Sequence, residues 1–156
     1  MPILNYTTTV DSDKSIAEIT GILSRFGARS ITTEYDKDGF VDGISFVIMI
    51  EMRPLAIRLP ANVEGVYSTL KMKKDVPNRF RNLAQARRVA WRILKDWLEA
   101  QLALFQVGQA EAGQVLMPYA VDSEGRTAYQ IFRESHMKQL PAGNVVEGKF
   151  IAASGE

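Results

Sequence analysis

The stretch Asn78–Gly108, NRFRNLAQARRVAWRILKDWLEAQLALFQVG, limits what this chain can fold into more than any other part of it. Pro77 and Asn78 interrupt any earlier helix. Asn82 with Gln85 three positions later forms a capping-box pair, in which side chains satisfy the first unpaired N–H groups of a helix. From Leu83 onward neither Pro nor Gly occurs until Gly108, which suits the left-handed position that closes a helix. Ala, Leu, Arg, Gln and Glu dominate in between, and all are good helix formers. The apolar residues recur at helical spacing in two adjoining stripes. Leu83, Ala86, Ala90, Ile93, Trp97, Ala100, Leu104 and Val107 form one, and Trp91, Leu94, Leu98, Leu102 and Phe105 form the other. Together they make the second half apolar around most of its circumference, so it is expected inside the core, in a homodimer interface formed by the apolar half of helix 82–107, or in both. Arg81, Arg88, Arg92, Lys95 and Glu99 fall on a third, polar face.

Charge is distributed just as unevenly. The net charge is only +1. Residues 1–70 carry 6 Lys/Arg against 9 Asp/Glu, and residues 96–156 carry 4 against 8. Residues 71–95 hold 9 Lys/Arg and the single acid Asp75, a net +8 between two acidic flanks. Lys71, Lys73, Lys74, Arg79, Arg81, Arg87, Arg88, Arg92 and Lys95 are therefore the candidate nucleic-acid-binding residues, with Phe80 and Trp91 interleaved. Lysine and arginine neutralise phosphates and release their counterions, and arginine and aromatic faces stack on bases. Arg58 extends the patch if its strand turns it the right way. The competing expectation is that the acidic flanks neutralise these cations within the chain, or that they simply solvate the surface.

The rest of the chain reads as an α+β fold. Ile3–Val10, rich in Thr and β-branched residues, is expected as a first strand. Ser12 or Asp13 is expected to cap a helix that runs to about Phe26, with Ile16, Ile19, Ile22, Leu23 and Phe26 on one face and Gly27 closing it. Arg29–Tyr35, Phe40–Ile50 and Leu55–Leu59 read as three further strands separated by short turns, hence an antiparallel meander. Phe40–Ile50 alternates at Ile44, Phe46, Ile48 and Ile50 with Ser45, Val47 and Met49 behind, as for a central strand covered on both sides. Asn62 caps a short helix with Val63, Val66, Tyr67 and Leu70 packed inward. Short helices are expected at about Ala110–Tyr119 and at Thr127–Met137. The architecture predicted is β-α-β-β-β-α, an antiparallel sheet packed with the long central helix and C-terminal helices. It forms a single domain over residues 1–140, with sheet and first helices in 1–70 and the helical layer in 78–138. Residues 141–156 form a loosely ordered tail with a short extended piece at Val145–Ile151.

Several chemistries find no support. The chain has no cysteine, which removes disulfides, thiolate catalysis and cysteine-ligated metals and favours a cytoplasmic location. The N-terminal residues do not read as a signal peptide, and no apolar run is long enough to span a membrane. Glu34-x-Asp36-x-Asp38-Gly39 resembles the start of a calcium loop, but Ser45 stands where the bidentate glutamate is needed, so a hairpin turn is expected. Asp42-Gly43 signals a bulge or a kink. His136, the single histidine, cannot build a multi-histidine metal site. Gly43-Ile44-Ser45-Phe46-Val47 lacks the second glycine of a nucleophile elbow, and no phosphate-binding glycine loop occurs. No metal, cofactor or catalytic residue is therefore assigned.

Arg58-Leu59-Pro60-Ala61-Asn62, together with Arg87-Arg88-Val89-Ala90-Trp91-Arg92-Ile93-Leu94-Lys95-Asp96-Trp97-Leu98-Glu99-Ala100-Gln101, resembles a family of small proteins encoded in bacterial genomes and phage-like mobile elements. The likeness runs from the N-terminal segment through Leu116-Met117-Pro118-Tyr119. It transfers no chemistry and no site residues. What it implies is a mobile-element context, which favours DNA transactions or interference with a host defence. The expected function is non-enzymatic binding of DNA or RNA through the basic helix face. The alternative is a protein- or nucleotide-binding inhibitor or assembly module acting on a host factor, and an enzyme built from scattered polar residues is the third possibility.

Overall fold

The computed structural model describes residues 1–140, together with the backbones of two strands, Gly143–Val146 and Lys149–Ala152. The protein is α+β. In chain order the elements are helix α1 (Ser12–Arg25), strands β1 (Ser30–Tyr35), β2 (Val41–Ile50) and β3 (Arg53–Pro60), then helices α2 (Val63–Met72), α3 (Leu83–Gln106), α4 (Ala112–Leu116) and α5 (Ala128–Ser135). The two strands of the C-terminal segment, β4 (Gly143–Val146) and β5 (Lys149–Ala152), pair antiparallel with each other and not with the main sheet. The expected extended piece at Val145–Ile151 falls partly on them. The remainder of the tail expected over 141–156 lies outside the described residues.

One expected element is absent. Ile3–Val10 is not a strand, so the fold begins with a helix and the order is α-β-β-β-α. The β-branched and aromatic residues there satisfy strand propensity, but no sheet edge receives them. Asn5 instead takes a left-handed conformation (φ 62°), with Tyr6 N–H donating to the Ile3 carbonyl and Thr8 N–H to that of Asn5. The segment lies against α3, where the Gln85 side-chain amide donates to the carbonyls of Tyr6 (2.8 Å) and Thr8 (2.9 Å). The capping box is thereby half used. Asn82 Oδ1 accepts from Gln85 N–H at 2.9 Å, while the Gln85 side chain serves the N-terminal segment and does not reach back to Asn82.

The meander β1-β2-β3 is antiparallel throughout, with Thr32, Ser45 and Arg58 in one cross-strand row and Ile31, Phe46 and Ile57 in the next. Asp42 is the extra residue of a bulge, because Glu34 pairs with Gly43 and Tyr35 with Val41. The period-2 alternation sends Ile44, Phe46, Ile48, Ile57 and Leu59 to one face, where they join Ile19, Ile22 and Leu23 of α1, Leu70 of α2, and Val89, Trp91 and Leu98 of α3 in a single core. The Trp91 indole N–H donates to the Val41 carbonyl (3.2 Å), fastening α3 to the sheet. The opposite face is open: Thr32, Met49 and Ala56 are exposed and Ser45 and Val47 only half-buried, so β2 is covered on one side and not on both. Beyond β3, the Val121 N–H donates to the Ala56 carbonyl and closes part of that edge.

The second half of α3 is covered unevenly. Leu98 and Leu102 are buried, Trp97 stands edge-on to Tyr119 at 5.5 Å, and Phe105 meets Phe26 at 5.6 Å. Val107, at 75% exposure, leaves the core altogether. Gly108 takes φ 74°, and the Gln109 N–H behind it reaches the Leu104 carbonyl, which ends the helix as its sequence predicts.

Candidate nucleic-acid interface

The nine candidate cations divide into three groups. Arg88, Arg92 and Lys95 face α1, because they lie on the side of α3 that packs against it. Arg92 Nη1 binds Glu18 of α1 at 2.7 Å and its Nε lies 3.9 Å from Asp96. Lys95, with its side chain only 10% exposed, pairs with Glu99 and sits 3.5 Å from Asp96. Arg88 is bound more loosely, to Asp11 at 3.4 Å and to the Gln85 amide oxygen at 3.3 Å. Each of these charges is taken up by the chain's own carboxylates.

Arg81 does a different task. Its Nη2 donates to the Lys73 carbonyl (2.9 Å) and its Nη1 to Asn78 Oδ1 (3.0 Å). The guanidinium thus laces both ends of the segment that joins α2 to the short 3₁₀ turn Asn78–Phe80. Val76, 1% exposed, pins the middle of that segment into the core.

Lys71, Lys73, Lys74, Arg79 and Arg87 form the third group. Among the described residues none of them has a carboxylate within ion-pair distance. Residues Lys71 to Asp75 are exposed without interruption, as is Arg79. The one acid in the run, Asp75, is directed to the amino terminus, 3.6 Å away, in a solvent-exposed contact. Aromatic rings beneath hold some of the cations outward. The Lys71 ammonium is 4.1 Å from the Tyr67 ring centre and the Arg79 guanidinium 4.7 Å from that of Phe80, which in turn packs edge-on against Tyr6. Arg87 lies over Phe40 at 3.6 Å, but its surroundings are mixed. The clefts it lines contain Asp36, Asp38, Asp42 and Glu64 on one side and Asp11 and Asp13 on the other. A continuous cationic rim is therefore made by Lys71, Lys73, Lys74 and Arg79.

Arg58 points from the open face of the sheet and belongs to a separate cluster. Its Nε and Nη2 bind Glu34 at 2.7 and 2.6 Å, and the Ser45 hydroxyl donates to the other Glu34 oxygen. The Ser45 hydroxyl and then the Arg58 guanidinium hold the Glu34 carboxyl below its ordinary range, against a smaller opposing effect of burial. Gly43 leaves room for this arrangement, since a Cβ there would come within 3.2 Å of Glu34 Oε2.

The remaining sequence candidates take ordinary structural places. Asp36 Oδ1 accepts from the N–H groups of Asp38 and Phe40, which makes the Asp-rich stretch a turn closed by Gly39 (φ 83°). His136 caps α5 beside Phe132. Among the described residues no three His, Cys, Asp or Glu side chains come together as a metal-holding group, and no helix is long and apolar enough to cross a membrane. Comparison with protein-family models, with curated proteins and with solved structures found no match to this chain.

Sequence reasoning placed the cations but not their partners. Glu18, which holds Arg92, lies 74 positions away. The roles of Tyr67 and Phe80 as ring supports were open to inspection: Tyr67 and Lys71 are four residues apart on one helix, and Arg79 and Phe80 are adjacent.

Proposed function

We propose that this protein binds nucleic acid without catalysing a reaction on it, and that the contact surface is the rim Lys71, Lys73, Lys74 and Arg79, not the helix face continued by Arg88, Arg92 and Lys95. The observation that carries this reading is the selective pairing within one basic window. Among the described residues, carboxylates meet the cations along α1 and none meets the four at the end of α2 and the following loop. Exposed lysines on an unfastened loop would be ordinary solubility charges. Here the loop is tied by Arg81 and buried at Val76, and two of the cations rest on rings, so less side-chain freedom is lost when phosphates are engaged. A resemblance to proteins of phage-like mobile elements fits a DNA or RNA partner.

The test is a set of binding titrations of the intact protein against single- and double-stranded DNA and RNA at low and moderate salt. Binding at low salt that weakens as salt is added supports the reading, because phosphate contacts release counterions. No binding to any of the four at low salt removes it. Capture of a host protein that survives nuclease treatment would favour the protein-binding alternative.

A further inference from the structure

We infer that the cleft between the open side of β3 and helix α5 binds a small planar anion, an aromatic ring carrying one phosphate or carboxylate group. The cleft has a volume of about 680 Å³, within the range that encloses a small organic molecule. Arg58, Pro60, Tyr119, Tyr129, Gln130 and Arg133 supply its functional walls. None of them belongs to the cationic rim, so the site stands or falls independently of nucleic-acid binding.

Its charge sets it apart. The other described clefts each include carboxylates, among them Asp36 and Glu64, Asp11 and Asp13, or Glu18 and Glu99. This one is lined by two guanidinium groups and, among the described residues, no carboxylate; Glu34 meets Arg58 from outside the lining, and Arg133 carries the unpaired charge. Arg58 is held by Glu34 through Nε and Nη2, which orients it and leaves the Nη1 donors without a protein acceptor among the described residues. Arg133 makes no ion pair among the described residues. The unpaired Arg133 guanidinium, with the remaining Nη1 edge of Arg58 on the same cavity, suits an oxyanion, which accepts paired N–H groups.

Its rings account for the planar part. Tyr129 is half exposed and stands one turn before Arg133 on α5, so the two share a helix face, and both line the cleft. Tyr119 is fixed by its edge-on contact with Trp97. The first turn of α5 is in turn held by a reciprocal capping box between Thr127 and Gln130. A flat ring stacked on tyrosine with its anionic substituent directed at the arginines uses the rings and the guanidinium donors of the cleft, while Thr127 and Gln130 are engaged with each other.

Amide chemical-shift titration of the whole protein tests this with four probes: adenosine 5′-monophosphate, 4-hydroxybenzoate, adenosine and inorganic phosphate. The two aromatic anions distinguish phosphate from carboxylate as the recognised group. At least one should shift Arg58 and residues 119–133 saturably, and adenosine and phosphate should each bind at least tenfold more weakly. Arg133→Gln and Tyr129→Ala, both at exposed positions, should each weaken that binding at least fivefold, while Lys74→Gln leaves it unchanged. Absence of saturable shifts with both aromatic anions at millimolar concentration overturns the proposal, as does binding that Arg133→Gln leaves intact.

Discussion

Exchanging Lys73 and Lys74 for glutamine removes two exposed, carboxylate-free cations and no packed contact, and the consequence for binding can be worked in advance. Each phosphate neutralised on duplex DNA contributes about 0.9 to the slope of log affinity against log salt. Four contacts, from Lys71, Lys73, Lys74 and Arg79, give a slope of about −3.6, so affinity falls about 150-fold between roughly 50 and 200 mM salt. If all nine cations of the window met phosphate the slope would be about −8, and the same change in salt would cost on the order of 10⁵. Lys73→Gln/Lys74→Gln should reduce the slope to about −1.8. Arg92→Gln/Lys95→Gln should leave it at the wild-type value, because Glu18, Asp96 and Glu99 already engage those charges. This second variant should instead lose about 1 kcal/mol of stability, the scale of a partly solvated pair. Fluorescence anisotropy on a labelled duplex over a salt series measures the slopes, and thermal melts measure the stabilities. The reasoning is refuted if the Arg92/Lys95 variant lowers the slope by as much as the Lys73/Lys74 variant does, or if the latter leaves it unchanged.

Three other outcomes follow from the geometry. Gln85→Ala removes both side-chain hydrogen bonds to the Tyr6 and Thr8 carbonyls, and should cost about 2 kcal/mol in chemical denaturation. The loss should appear first as faster amide exchange at residues 3–10. The β2–β3 turn places Glu51 (φ 47°) and Met52 (φ 65°) in left-handed conformations, where Asn-Gly is the favoured pair. Glu51→Asn/Met52→Gly should therefore stabilise the protein by about 1 kcal/mol, seen as a melting temperature about 3 °C higher. Glu34 has its folded pKa lowered by Ser45 and Arg58, so its contribution to stability is present above the ordinary glutamate value of 4.5 and is lost as pH falls through the lower folded value. A plot of melting temperature against pH should lose that acid-side step in Glu34→Gln while keeping its form near neutrality.

What the chain discloses in one dimension is what local physics decides. The caps at Asn62 and Asn82 and the glycine stops at Gly27 and Gly108 are local chemistry, and the structure uses each of them, but α1 begins behind Asp11, with no side-chain hydrogen bond at the cap, and not behind Ser12 or Asp13. The meander was legible for the same reason, because short turns leave adjacent strands no partner but each other. Ile3–Val10 shows where this fails. Strand propensity records how a side chain fits a pleated surface, but a strand also needs an edge, and the carbonyls that an edge would have paired go to Gln85. The basic window fails in the same way at the level of charge. Helical periodicity correctly put Arg88, Arg92 and Lys95 on one face of α3, yet a shared face does not reveal what lies opposite it. That was decided by Asp11 and Glu18, at the start of α1 and on it, which lie 77 and 74 positions before their arginine partners. The cations that stay available are the ones beyond the reach of α1, after the sheet has turned the chain away at Pro60 and Val76 has anchored the loop. The binding surface is thus defined by subtraction. Folding uses Arg88, Arg92 and Lys95 to join α1 to α3, and the longest exposed run without a carboxylate partner among the described residues is the short rim beside Arg81, whose guanidinium donates to the Lys73 carbonyl and Asn78 Oδ1 and so holds that rim in place.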